Sequence, residues 1–227
     1  MVSGEWGVRR RGVHYEMTNI ENQNMKKLPG SFYQRENVIE IAKELLGKVL
    51  LTKWNGVVSS GRIVEVEAYN GIIDKASHAF AGRRTARNEI MYANGGVAYV
   101  YLCYGVHWMM NVVARPPGVD YPGAILIRAI EPIEGLHHIA GRRAGQPQRD
   151  WANGPGRLTR AIGITKAQDG LDMIARGSPL YFETGESIPD HQIMRGPRIG
   201  IHVPEPSRSW EWRFWVKDNP HVSRGGK

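Results

Sequence analysis

The chain has 227 residues, a length that suits one sizeable domain with a full hydrophobic core and no need for disulfides or metals. Its 30 Lys and Arg against 22 Asp and Glu give a formal net charge of +8, which favours a polyanionic partner such as nucleic acid, although a soluble basic protein with other partners fits that charge equally well. The chain has a single cysteine, Cys103, so it can form no intrachain disulfide, and it has no Cys/His spacing of the zinc type. It also has no run of 18 apolar residues. These features predict an intracellular protein without disulfide, metal or membrane segment.

Residues 1–30 are polar, rich in Asn, Lys and Arg, and without clear periodicity. This composition predicts a flexible basic N-terminal leader, whose arginines at positions 9–11 could contact DNA weakly. We therefore expect one compact domain over residues 31–227.

The domain begins with the pattern of a helix followed by a hairpin. Asn37 can cap a helix whose apolar residues recur at helical spacing until Gly47 ends it. Residues 48–54 and 57–69 then predict two strands about Asn55-Gly56, a dipeptide suited to a tight turn.

The second of these strands carries polar groups that could perform chemistry. Alternation places Glu65, Glu67 and Tyr69 on one face and valine or alanine on the other. A carboxylate beside a ring could activate a water next to a planar substrate, whereas a strand carboxylate in isolation is more often an ion-pair partner. Arg128, from a later strand, could keep Glu67 ionised and oriented, and Glu65 competes with Glu67 for the catalytic role.

The remaining elements follow from turn signals and β-branched or aromatic runs. Asn94-Gly95-Gly96 and Gly105 are the next turn signals. Strands are predicted at residues 97–104, 108–114 and 124–130, helices at 133–144 (opened by Glu131-Pro132) and 157–162 (after Gly154-Pro155-Gly156), and further strands at 180–182, 198–201 and 212–216.

Three tyrosines and a histidine allow both structural and functional interpretations. Tyr99 fits core packing, Tyr101 fits packing and base stacking equally, and His78 could bind a base edge or complete a loop. Tyr104 lies at a hairpin tip, where a large ring has no core to join. Exposed aromatic tips commonly wedge between base steps, so we favour a functional role there.

Two segments have the composition of anion sites. Residues 82–88 concentrate Arg83, Arg84 and Arg87 with Thr85 and Asn88, a set suited to phosphate oxygens, although a solvated loop is equally compatible. Gly154-Pro155-Gly156-Arg157 offers backbone amides and a cation at a helix start, but it is also an ordinary turn sequence.

Several blocks of this chain, in this order and at this approximate spacing, resemble the alkyladenine (3-methyladenine) DNA glycosylase family from about Gln34 to Ser223. The blocks are residues 62–69 (Arg-Ile-Val-Glu-Val-Glu-Ala-Tyr), His78, residues 83–88 (Arg-Arg-Thr-Ala-Arg-Asn), residues 99–105 (Tyr-Val-Tyr-Leu-Cys-Tyr-Gly), Asn111, residues 128–132 (Arg-Ala-Ile-Glu-Pro) and residues 153–159 (Asn-Gly-Pro-Gly-Arg-Leu-Thr). The family often has Pro where this chain has Ala86, which leaves the conformation of that loop open.

The resemblance implies an α+β fold, a single compact domain in which helices flank a curved, mostly antiparallel β-sheet and a protruding hairpin inserts into DNA. It implies a monomeric, monofunctional glycosylase that flips alkylated or deaminated purines out of double-stranded DNA and hydrolyses the N-glycosidic bond, without cofactor, metal or lyase step. A nonenzymatic binder of distorted nucleic acid and an RNA-binding relative are the competing interpretations.

The resemblance also implies residue roles. Glu67 is the general base, Arg128 places the water and the carboxylate, and the backbone near Ile201 assists. The base pocket comprises Tyr69, His78, Tyr101 and Asn111, of which Asn111 disfavours the amino group of normal guanine; Tyr104 fills the gap in the stack, and Arg83, Thr85, Arg87, Asn88 and Arg157 contact DNA.

Overall fold

The computed structural model describes residues 25–225 and shows an α+β fold built on one antiparallel sheet. Within that range lie four α-helices, eight strands and several short 3₁₀ segments. In chain order they are α1 (Gly30–Tyr33), α2 (Val38–Leu45), β1 (Val49–Trp54), β2 (Val57–Asn70), β3 (Ala98–Cys103), β4 (His107–Val113), β5 (Gly123–Glu134), α3 (Leu136–Arg142), α4 (Pro155–Ile162), β6 (Leu180–Glu183), β7 (Ile193–Gly196) and β8 (Arg213–Val216).

The long strand β2 organises the sheet. The main strand order is β3-β4-β5-β2-β1-β6, with β8 pairing to β2 and β7 to β8. β2 pairs with β5 along one edge, whereas its other edge pairs with β1 up to Arg62 and with β8 from Glu65 to Glu67. Since the partner changes where the register shifts, β2 is bulged and the sheet curls into a half-barrel. Glu65 and Glu67 lie within this bulged and doubly paired part of β2.

The local sequence signals at the start of the domain are confirmed. The Asn37 side chain accepts hydrogen bonds from Ile39 N and Glu40 N at 3.0 and 3.2 Å, so it caps α2 as predicted. Asn55 and Gly56 both have positive φ, 50° and 77°, which is the turn geometry that joins two strands tightly.

The main hydrophobic core lies between the helices and the face of the sheet opposite to the one that carries the Glu67 side chain. α2 packs against β2 and β5, and α4 packs against β4 and β5. The core includes Ile41, Leu45, Val66, Ile127 and Leu158, all buried. Packing against these two helices therefore fixes the positions of β2 and β5, the strands that carry Glu67 and Arg128.

The helix predicted at residues 133–144 is wrong at its start. β5 continues through Pro132 to Glu134, and the helix covers only Leu136–Arg142 after Gly135, whose φ is 71°. Pro132 pairs opposite Gly61 where the register shifts, and a bulge tolerates the missing amide of proline.

The strand predicted at residues 198–201 is also wrong. These residues form a turn in which Gly200 has φ 73°, and the strand of this region is β7, which was not predicted. Isoleucines flanking a glycine resemble a strand in composition, but here Ile199 and Ile201 face the functional cavity.

Packing extends to residues before α1. Lys27 forms a β-bridge with Glu183, and Leu28 is buried in the core. The leader arginines at positions 9–11 lie outside the described residues. Between residues 25 and 225, no helix has the length and apolarity needed to cross a bilayer.

Candidate active site

A cavity of about 340 Å³ opens on the concave side of the sheet, a size within the usual range of small-molecule pockets. It brings together side chains from β2, β3, β4 and β5 with the turn after β7. All the residues assigned above to catalysis, base pocket and stack filling line it: Glu67, Tyr69, His78, Tyr101, Tyr104, Asn111 and Arg128.

Glu67 is fully buried and held by three donors. Its Oε1 accepts a hydrogen bond from Ile199 N at 2.7 Å and lies 3.1 Å from Arg128 Nη1. Its Oε2 accepts a hydrogen bond from the Tyr69 hydroxyl at 2.9 Å. A carboxylate has about four acceptor positions, so one acceptor position on Oε2 is left for a further donor such as a water.

Arg128 is oriented by the second carboxylate of β2. Glu65 Oε1 accepts from Arg128 Nε at 3.0 Å and from Arg213 Nε at 2.7 Å, and Ser223 donates to Glu65 through both N and Oγ. Burial by itself lowers the pKa of Arg128, but Glu67 and Glu65 more than compensate and raise it. Glu65 is thus fully occupied away from the cavity, whereas Glu67 borders it.

Tyr69 remains a hydrogen-bond donor to Glu67. Burial raises the pKa of the Tyr69 hydroxyl well above 10, the negative charge of Glu67 raises it further, and the guanidinium of Arg198 opposes this only in part. A neutral hydroxyl stabilises the charged form of the carboxylate it contacts. The Tyr69 hydroxyl and the Glu67 carboxylate therefore form one hydrogen-bonded pair at the cavity.

Aromatic rings form the opposite wall. The rings of His78 and Tyr101 meet edge to face with centroids 4.6 Å apart, and His78 Nδ1 lies 2.7 Å from the Tyr99 hydroxyl. Burial lowers the pKa of His78 to about 4, with help from Arg87 and Arg83. His78 is therefore neutral at physiological pH, and the predicted core residue Tyr99, which is buried, also fixes the His78 ring.

Asn111 lies on the cavity floor in β4. It is buried, and its Nδ2 donates to Tyr99 O at 3.2 Å. That bond fixes the amide plane, so the remaining amide groups offer a rigid polar contact to whatever enters the cavity.

The β3–β4 hairpin presents a strained aromatic tip. The Tyr104 side chain is 87% exposed, and its φ is 49°, in the left-handed region that a bulky residue rarely adopts. Val106, next to it, is also exposed. An exposed apolar ring kept in an unfavourable backbone conformation is typical of a contact site rather than of packing.

The arginine-rich loop is only partly available to a ligand. Arg83, Thr85 and Arg87 are exposed, but Arg84 is bound by Glu89 through two hydrogen bonds. Asn88 is buried: its Nδ2 donates to His78 O and Arg83 O, and its Oδ1 accepts from Thr85 N and Thr85 Oγ1. Asn88 therefore shapes the loop and has no free group for a phosphate, unlike the contact predicted for it.

The predicted anion site at the start of α4 lies beside the cavity. Arg157 is half exposed, and its Nη1 donates to Asn153 Oδ1 at 2.7 Å. A second cleft there is lined by Arg143, Arg157 and Arg224 and shares Arg128 with the first cavity. The basic surface therefore continues from the cavity to the helix N-terminus.

The sequence interpretation missed some of the residues that support the site. The backbone contact to Glu67 comes from Ile199, two residues before Ile201 in the Arg-Ile-Gly-Ile segment at residues 198–201. Arg213 and Ser223 complete the shell of Glu65 from the last segments of the chain, and no local pattern links them to β2. Within residues 25–225, no three His, Cys, Asp or Glu side chains converge as a metal site.

Comparison with known proteins shows the family of this chain. The profile of the family described as Methylpurine-DNA glycosylase (MPG) matches residues 31–220. Proteins of Bacillus licheniformis and Bacillus subtilis, each named "Putative 3-methyladenine DNA glycosylase", are each 45% identical to this chain over 203 and 197 residues, which is 89% and 87% of this chain and 100% and 96% of theirs. A Clostridium perfringens protein of the same name is 42% identical over 207 residues, 87% of this chain and 99% of its own. The chain therefore belongs to the methylpurine-DNA glycosylase family and is a DNA glycosylase, a hydrolase of N-glycosyl bonds.

Proposed function

We propose that this protein excises alkylated and deaminated purines, the class of 3-methyladenine, 7-methylguanine, hypoxanthine and ethenoadenine, from duplex DNA with an activated water and leaves an abasic site. The observation that carries the proposal is the position of Glu67. It is a fully buried carboxylate at the edge of an aromatic cavity, bound by three donors and with one acceptor position unused. Such a group is a general base for a bound water.

The reaction balances with these groups alone. The water oxygen forms a bond to C1′ of the flipped nucleotide while Glu67 Oε2 takes the proton of that water. The C1′–N bond breaks and its electron pair leaves with the purine: a cationic alkylated purine leaves as a neutral base, and a neutral purine leaves as an anion that takes a proton from water. Arg128, 3.1 Å from Glu67 Oε1, holds the carboxylate in place beside the water.

Water as the nucleophile is also supported by what lines the cavity. Among the described residues that line it there is no lysine, and Lys75, the nearest in sequence, donates its Nζ to Glu205 O. A Schiff base requires an amine nucleophile at the reacting carbon. We therefore expect release of the base without cleavage of the strand.

The side chains that line the cavity account for the selection of the base. His78 and Tyr101 form a rigid aromatic corner on which a planar base can stack, and Tyr69 borders it from β2. His78 is neutral and so can both donate and accept a hydrogen bond. Asn111, fixed by Tyr99 O, would oppose the exocyclic amino group of normal guanine.

Access to a base in a duplex requires flipping, which costs a few kcal/mol and least for damaged or mispaired bases. Tyr104 has the exposure and the position to fill the vacated stack. The exposed Arg83 and Arg87 and the half-exposed Arg157 would bind the phosphates on either side.

The test is base release from a panel of duplexes that each contain one modified purine. We expect the wild type to release at least one of them, and Glu67→Gln to be at least about a hundredfold slower while binding the lesion duplex within about threefold. Glu44→Gln, a surface change in α2 whose carboxylate pairs with Arg35 and no other described residue, is the matched control and should behave as the wild type.

Three results would contradict the proposal. Unchanged turnover by Glu67→Gln would exclude Glu67 as the base. Trapping of the protein on DNA with borohydride would show an amine nucleophile. Lesion binding by the wild type without release of any base would favour the nonenzymatic binder.

A further inference from the structure

Asp74 and Arg198 form a fully buried ion pair behind the cavity. The two terminal nitrogens of Arg198 contact the two oxygens of Asp74, and both side chains have no exposed area. Neither residue lines the cavity. Because desolvation offsets the attraction of a buried pair, stability alone is a weak explanation for it.

The pair joins three segments of chain that surround the cavity. Arg198 donates to Ala68 O in β2 and to Ser207 O, both at 3.0 Å. Asp74 accepts from Ala76 N at 2.9 Å and from Asn70 N at 3.3 Å. The end of β2, the loop that leads to His78 and the turn after β7 are therefore fastened to one another through two side chains.

The same pair contacts the groups that hold Glu67. The guanidinium of Arg198 lies over the Tyr69 ring, 4.8 Å from its centroid, and Tyr69 donates to Glu67 Oε2. The residue after Arg198 is Ile199, whose N–H donates to Glu67 Oε1. Two of the three donors to Glu67 are thus positioned by Arg198.

We propose that Asp74 and Arg198 are positioning residues for the general base: they hold the Tyr69 hydroxyl and the Ile199 N–H against Glu67 and orient the loop that carries His78. This inference rests on the proposed role of Glu67. It assigns no chemical step to the pair itself, which acts through Glu67.

The test compares Asp74→Asn, which preserves shape but removes charge, with Arg198→Lys, which keeps charge but cannot span Asp74, Ala68 O and Ser207 O together. Circular dichroism identifies the variants that fold. If Asp74→Asn does not fold, Arg198→Lys alone tests the proposal. We expect each folded variant to release the base at least about tenfold more slowly in single turnover, with lesion-duplex affinity within about threefold of the wild type. A largely exposed surface pair, Arg195 and Glu211, provides the controls Arg195→Lys and Glu211→Gln, which should change neither quantity.

The split between rate and affinity separates positioning from general loosening. If the Ile199 and Tyr69 donors move away from Glu67, the single-turnover rate falls while lesion-duplex affinity is kept, whereas loosening of the whole cavity weakens both. An equal loss of rate and affinity would overturn the proposal.

A structural measurement keeps this inference separate from the proposed function. In a crystal structure of Asp74→Asn or Arg198→Lys, we expect the distance from Ile199 N to Glu67 Oε1 to exceed 3.5 Å. An unchanged distance near 2.7 Å overturns the positioning role whatever the activity. If the wild type releases no base but the distance lengthens, the proposed function fails and the positioning of Glu67 stands.

Discussion

The same substitution, Glu to Gln, should affect stability and activity in opposite order at the two glutamates of β2. Glu65→Gln should cost stability far more than Glu67→Gln, whereas Glu67→Gln should cost activity far more than Glu65→Gln. The reason is that Glu65 is bound on all sides by protein donors away from the cavity, and Glu67 borders the cavity with an acceptor position unused.

The magnitudes follow from the donors that each glutamine would meet. Glu65 accepts from Arg128, Arg213 and Ser223 N and Oγ, and an amide offers these donors one oxygen instead of two. The Ser223 N–H would then face an NH₂ group, and two arginines would lose an anionic partner, so we expect a loss of about 3–5 kcal/mol in the free energy of unfolding.

Glu67→Gln can keep its neighbours hydrogen-bonded, and Arg128 retains its ion pair with Glu65. The amide oxygen can still accept from Ile199 N and face Arg128, and the NH₂ can donate to the Tyr69 hydroxyl, so we expect a loss of about 1 kcal/mol or less. Its rate should fall about 10²–10⁴-fold because the general base is removed. Glu65→Gln keeps that base and should be slower by about tenfold, through a less well oriented Arg128.

The assay pairs urea unfolding at pH 7 with single-turnover base release for both variants. The order of the two effects is the decisive result. If Glu65→Gln is the slower enzyme, or if Glu67→Gln is the less stable protein, the division of roles between the two carboxylates is wrong.

Three further predictions concern the hairpin, the histidine and the phosphate contacts. Tyr104→Gly should leave the free energy of unfolding unchanged or raise it by up to about 1 kcal/mol, because glycine tolerates the positive φ. The same change should weaken lesion-duplex binding by about 1–3 kcal/mol, because the stacking ring is lost. Equal binding by the wild type and the variant would exclude a stacking role. The pKa of His78 is about 4 in the folded protein against 6.5 in the unfolded chain, so acidification protonates the unfolded chain first. About 2 kcal/mol of the free energy of unfolding should therefore be lost as the pH falls from 6.5 to 4.5. Urea unfolding of His78→Gln over the same pH range should show a correspondingly smaller loss. Removal of Arg83, Arg87 or Arg157 should each reduce the slope of log affinity against log salt by about one, and a slope that no variant changes would exclude the phosphate contacts.

Local patterns were sufficient where short-range chemistry decides the structure. The cap at Asn37 and the Asn55-Gly56 turn depend on residues within a few positions of one another, and both are confirmed. The alternation predicted for β2 holds from Val66 to Tyr69, but register shifts between Ile63 and Val66 interrupt it, and Ile63 rather than Val64 joins the core. Local patterns gave wrong secondary structure where a contact with a distant part of the chain decides it. Pro132 continues a strand because a bulge lies opposite Gly61, and the isoleucines on either side of Gly200 line the cavity instead of forming a strand.

The candidate site divides in the same way. The sequence by itself determined the chemical inventory: a carboxylate and a ring on one strand face, an aromatic hairpin tip and a basic loop, in an order shared with a known family. Only the tertiary structure decided which carboxylate borders the cavity, since Arg213 and Ser223 reach Glu65 from about 150 residues away in the chain. The same holds for Asn88, which looks like a DNA contact in sequence but is buried, and for Asp74 and Arg198, whose pairing spans 124 positions. Hydrogen-bond saturation and burial are properties of the assembled neighbours, and no local pattern specifies them.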